Sequence, residues 1–117
     1  MAMQHLQSPI VRRFIETVNE DLLPDLLALF APDAIVIDGP PVYPPHQGHE
    51  AIARWAQQET FDLGIRIQDA QEKDAAGHVI EIKAIGHDGF IWHGTLHFSL
   101  RHDLIERLVF SSVQVLS

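Results

Sequence analysis

Few side chains in this sequence combine reactivity with a position that could use it, and Asp38 is the first of them. It follows an apolar run at residues 34–37 and precedes Gly39, at the mouth of a segment rich in proline and glycine, residues 39–48. A carboxylate delivered by a buried strand to a loop, facing apolar helices, is placed to take and return a proton as a general acid/base. Donors are available around it. Trp92 carries an indole N–H, and Tyr43, His46 and His49 lie on or beside the loop that should rim a pocket mouth. Each residue also has a purely structural reading. Asp38 can accept backbone N–H groups from the Gly39 turn, and Trp92 can serve as a core or wall aromatic. Tyr43 and His46 can simply face solvent. Glu50 sits where a helix opening at Gly48 would place a favourable charge against its dipole.

Eight histidines in 117 residues raise the question of a metal. His93 and His97 are four apart, a ligand spacing on a helix, but the residues between them read as strand. On a strand their side chains start roughly 13 Å apart, too far to share one ion. His46 and His49 are closer, yet a site there would need a third ligand such as Asp38. The expectation is no metal and no cofactor.

Composition narrows the function classes. Hydrophobic residues make up 46% and charged residues 21%, an ordinary globular balance in a chain the length of one domain, residues 1–117. Sixteen acids against eight Lys/Arg give a formal charge of -8. Such a surface repels nucleic acid and opposes docking on an anionic membrane, so neither is an expected partner. The absence of cysteine excludes disulfides and thiolate chemistry. No apolar segment reaches ~20 residues and the N-terminal residues lack a signal-peptide pattern, which predicts a cytoplasmic protein.

The elements that would position Asp38 can be read from periodicity. Ser8 suits an N-cap and Pro9 a first helical position, and Ile10, Val11, Phe14, Ile15 and Val18 then share one stripe. Asp21 is placed to cap a second helix carrying Leu22, Leu23, Leu26, Leu27 and Phe30, with Pro24 tolerated in its first turn. Pro32-Asp33 then turns the chain into the strand at 34–37. A third helix spans 49–60, with Ile52, Trp55 and Ala56 inward. Beyond Phe61 the period becomes two, giving strands from Ile65, over 79–85, 90–100 and 104–115, with Gly86-His87-Asp88-Gly89 as a tight hairpin. Helices followed by hairpin-linked strands make an α+β fold, a mainly antiparallel sheet with its helices on one face.

The strand at 90–100 separates the two faces of that sheet. Phe90, Trp92, Leu96, Phe98 and Leu100 lie on one side, and Ile91, His93, Thr95, His97 and Ser99 on the other. The apolar side should meet the helices and any cavity. The mixed side suits packing against a second copy, which predicts a homodimer through that face.

The order of elements, the ALFAPDAIVID stretch, the GHEAIARW helix start and the terminal HFSL…LIERLVF hairpin resemble the nuclear-transport-factor-2-like (NTF2-like) superfamily. Within it the chain is most similar to SnoaL-like domains and bacterial ketosteroid isomerases. The resemblance covers residues 9–110 and implies a cone, with three helices packed on a strongly bent sheet around an internal pocket. For function it implies only a range, because the fold hosts isomerases, cyclases, hydrolases, dehydratases and binding modules. It aligns Asp38 with the aspartate by which ketosteroid isomerases move a proton. Their two enolate donors, a tyrosine and a protonated aspartate, fall at Phe14 and Leu96 here. Each missing donor typically costs ~100- to 1000-fold in rate, so a steroid isomerase of the known type is not expected. An epoxide hydrolase of the limonene type would need an Asp–Arg–Asp trio that the late strands do not carry on one face.

Two function classes remain. One is a small enzyme, an isomerase or cyclase, acting on an apolar carbonyl or ring compound with Asp38 as general acid/base. Its binding surface is expected to be Phe14, Tyr43, His46, Trp55, Trp92, Leu96 and Phe98. The other is a non-catalytic dimeric module that binds a ligand or partner through the same cone. A pocket filled by its own side chains, with Asp38 bonded only to backbone, would favour the module.

Overall fold

The computed structural model describes residues 5–39 and 43–116, with side chains through residue 111. Residues 40–42, within the loop after Asp38, lie outside the described residues. The element order is α1 (Pro9–Asn19), α2 (Leu23–Leu27), β1 (Phe30–Asp38), β2 (His46–Gln47), α3 (Gly48–Ala56), a π-helical turn (Gln57–Phe61), β3 (Arg66–Glu72), β4 (Val79–Ile85), β5 (Ile91–Arg101) and β6 (Leu104–Leu116). The architecture is α+β, with three helices against one sheet of order β2-β1-β6-β5-β4-β3. The sheet is mixed and not closed: β1 runs parallel to β6, and every other pair is antiparallel.

Local chemistry explains most boundaries. The Ser8 hydroxyl accepts the Val11 N–H at 3.3 Å, and Pro9 takes the first helical position, as read from the sequence. The second helix departs from that reading. Asp21 does not cap it; Asp21 adopts φ 56° and its carboxylate forks onto Arg66 at 2.8 and 3.2 Å, while Leu22 takes the N-cap without a side-chain bond. A long-range ion pair therefore outcompetes a local cap. Phe30 begins β1 rather than ending the helix, and register shifts between Phe30 and Ile35, where Pro32 cannot donate to a ladder.

The third helix is shorter than its hydrophobic stripe implies. Its α-helical part ends at Ala56, and the chain widens into one π turn closed by the Asp62 N–H on the Gln57 carbonyl at 2.8 Å. Between β5 and β6, His102 and Asp103 both hold positive φ, 53° and 62°, the pattern of a type I′ hairpin turn.

The two sheet faces divide as the alternation on β5 requires. Ile80, Ile82, Ala84, Leu96, Phe98, Ile105 and Leu108 are buried on the helix side, where Val11, Phe14, Ile15, Ile52 and Trp55 meet them. Phe90 is the exception, 43% exposed at the hairpin with its ring 6.3 Å from Trp92. Across the opposite face, Ile91, His93, Thr95 and His97 pair with Ile85, Lys83, Glu81 and Val79. No helix among the described residues is long and apolar enough to cross a membrane.

Candidate functional site

Strand alternation delivers Asp38. Ala34 and Val36 are buried on the inner side of β1, and Asp38, two residues on, continues that side at the strand's end. Gly39 follows with φ 93°, a conformation suited to glycine that ends the strand there. The register sets Asp38 beside Phe110 of β6. From the opposite layer α3 presents Trp55, only 6% exposed. Its indole Nε1–H donates to Asp38 Oδ2 at 2.8 Å. A hydrogen bond to an ionised carboxylate contributes about 1.5–3 kcal/mol, and here it fixes the carboxyl's orientation as well.

This pair forms part of the wall of a cavity of about 230 Å³ between helices and sheet. Phe14 and Val18 of α1, Trp55, and Glu59, Thr60, Leu63 and Ile65 line it from one side. Ile67, Ile82, Ala84, Trp92, Leu96, Phe110 and Asp38 line it from the sheet. No Lys, Arg or His is among these residues. No cluster of His, Cys, Asp or Glu suited to a metal ion occurs among the described residues.

Of the residues singled out from the sequence, the structure brings Asp38, Phe14, Trp55, Trp92 and Leu96 onto this wall. Four are placed elsewhere. Phe98 lies behind Phe14, edge-on at 5.3 Å, so it supports the wall without lining it. Tyr43 is 61% exposed beside Gly39. His46, on β2, lays its ring over Trp55 at 6.3 Å between centroids and 35° between planes, outside the cavity. His49, offered as a mouth donor, is instead bound to the Phe30 carbonyl at 2.9 Å through Nε2.

Sequence reasoning missed two things. It read Trp55 as an inward aromatic, but not as the donor to Asp38, a contact across 17 positions that no local pattern reveals. It also overlooked Glu59 and Thr60. Their signal was present: the stripe 52, 55, 56 continues to 59 and 60, and the π turn carries it to the cavity. A π turn within a helix is a frequent mark of a functional site. Asp38 is also not bonded to backbone alone, and the cavity is not filled by its own side chains. Both observations differ from what a closed, non-catalytic cone was expected to show.

A layer of helices on an open mixed sheet, with a cavity between, is the arrangement of the NTF2-like α+β folds. The family model of the SnoaL-like domain matches residues 11–108, and the chain belongs to that family. Solved structures agree on the fold. A Sinorhizobium meliloti protein described as a putative polyketide cyclase is 26% identical, with a TM-score of 0.75 over 87% of this chain and 93% of that one. The Δ5-3-ketosteroid isomerase from Mycobacterium sp. is 18% identical, with a TM-score of 0.69 over 94% and 100%. A Mycobacterium tuberculosis protein solved with estradiol-17beta-hemisuccinate is 16% identical, with a TM-score of 0.68 over 91% and 95%. Among curated proteins, no relative matches the chain.

Proposed function

We propose that this protein is a small-molecule pocket protein of the SnoaL-like type that isomerises or cyclises a compact apolar carbonyl or ring compound, with Asp38 as general acid/base. One observation carries the reading: a carboxylate oriented by a buried indole N–H stands on the wall of an otherwise mostly apolar cavity. In the reaction, Asp38 takes a proton from the carbon next to the carbonyl, leaving an enolate. It then returns that proton to another carbon, or the carbanion closes on a second carbonyl, whose oxygen takes the proton back from Asp38 as it becomes a hydroxyl. Charge developing on the enolate oxygen needs a donor, and with Phe14 and Leu96 apolar the wall offers the Trp92 indole and the Thr60 hydroxyl.

Cavity size limits the substrate. At about 230 Å³ it exceeds a ~150 Å³ hole that accepts benzene and falls below the ~300–1,000 Å³ of drug-sized sites. One or two rings fit within it. We further propose that the protein acts as a cytoplasmic homodimer through the face of Ile91, His93, Thr95 and His97, without nucleic-acid or membrane partners and without metal or cofactor. A second reading, a non-catalytic binding module, is favoured by the apolar side chains at Phe14 and Leu96.

Exchange of α-protons separates the two readings. In D2O the wild type should accelerate deuterium incorporation into 1-indanone, followed by proton NMR, and Asp38→Asn should lose at least ~100-fold of that acceleration. Equal exchange by wild type and Asp38→Asn would leave the binding module as the function.

A further inference from the structure

We infer that the cavity selects a one- or two-ring compound bearing a protonated amine and rejects anions of the same shape. The inference rests on the small-molecule reading of the cavity but not on proton transfer by Asp38. Its basis is the charge of the wall. Two carboxylates, Asp38 and Glu59, line the cavity, and no cationic side chain does. Glu59, on the π turn that follows the helix of Trp55, and Asp38, which accepts the Trp55 indole N–H, both belong to the wall that Trp55 also lines.

Three further features fit the same ligand. Trp55, Trp92, Phe14 and Phe110 supply aromatic surface, whose negative faces attract an ammonium group. Thr60, beside Glu59, is 9% exposed and brings a hydroxyl-bearing side chain to the cavity wall. A hydroxyl oxygen can accept an ammonium N–H. The formal charge of the whole chain, -8, favours approach of a cation and opposes an anion. Glu59 is the exposed acid of the two, so the amine would pair with it at the solvent edge, with its rings against the aromatic wall.

The test uses three ring-matched probes, 2-aminoindane, 2-indanol and indane-2-carboxylate, at pH 7.5 with the intact protein. Binding is read from the two indole N–H cross-peaks of labelled protein, since both tryptophans line the cavity. The amine should bind at least tenfold tighter than the carboxylate, and tighter than the alcohol. Because Glu59 is exposed, Glu59→Gln should weaken amine binding by about threefold, with alcohol binding unchanged. Glu59→Lys should reverse the order of amine and carboxylate. Equal binding of amine and alcohol, an amine affinity indifferent to Glu59→Gln, or no binding of any probe would overturn the inference. Amine selectivity with no α-proton exchange would sustain it while removing the enzymatic reading.

Discussion

Replacing Trp55 by phenylalanine keeps an aromatic ring on α3 but deletes the N–H that reaches Asp38 at 2.8 Å. The size of the effect can be worked from the structure. A bond to a charged acceptor contributes about 1.5–3 kcal/mol. Asp38 is half-buried, and water can partly replace the lost donor, so the lower part of that range applies. The smaller ring also costs packing, which a single substitution cannot separate from the hydrogen bond. A double-mutant cycle with Asp38→Ala isolates it, because the packing loss is common to both backgrounds. The coupling energy between the two sites should be about 1.5 kcal/mol. With an unfolding entropy of ~2.1 cal/mol/K per residue, that coupling corresponds to about 6 °C in Tm for a chain this size. Urea unfolding of the four proteins measures it directly. A coupling below about 0.5 kcal/mol would mean the indole does not hold the carboxylate in solution, and the orientation of Asp38 would need another cause.

Other consequences are equally open to measurement. Gly94 of β5 lies under the Phe110 ring, so a Cβ there would displace that ring toward the cavity; Gly94→Ala should cost about 1–3 kcal/mol in urea unfolding and weaken ligand binding. The dimer reading requires sedimentation at micromolar concentration to give twice 13.2 kDa, and Thr95→Glu at the centre of the outer face should yield the monomer. The Gln7 backbone N–H, first, and then its side-chain amide hold the Glu72 carboxyl below the usual range, and the Val79 N–H does the same for Asp74. A depressed folded-state value means the contribution is present above the unfolded value and disappears as pH falls through the folded one. Glu72→Gln should therefore be less stable than wild type at pH 7, and the difference should vanish as pH falls below the depressed folded-state value of the Glu72 carboxyl, by urea midpoints.

Much of the fold was legible because its signals are local. The boundaries of β4, Val79–Ile85, follow from period-two alternation closed by a hairpin sequence, and α1 from a capped and proline-started stripe. What escaped depends on distant partners. The two-residue strand β2, His46–Gln47, exists only through pairing with Ile35 and Val36, and the parallel join of β1 to β6 brings together segments some 70 positions apart. Asp21 had the type and place of a cap, but Arg66, 45 positions away, claimed it. The candidate site divides in the same way. Asp38 could be found from the strand that carries it, whereas its bond to Trp55 and the turn of Glu59 into the cavity required the packed layers.

On the proposed function, ligand meets Asp38 inside the cavity walled by both tryptophans. Those are the only two in the chain, so the indole region of a proton–nitrogen correlation spectrum holds one cross-peak for each. Titration with a compact ring compound such as 1-indanone should shift both peaks together and saturably, and Asp38→Ala should displace the Trp55 peak even without ligand. Binding detected by calorimetry while both indole peaks stay fixed would place the ligand elsewhere and contradict the account.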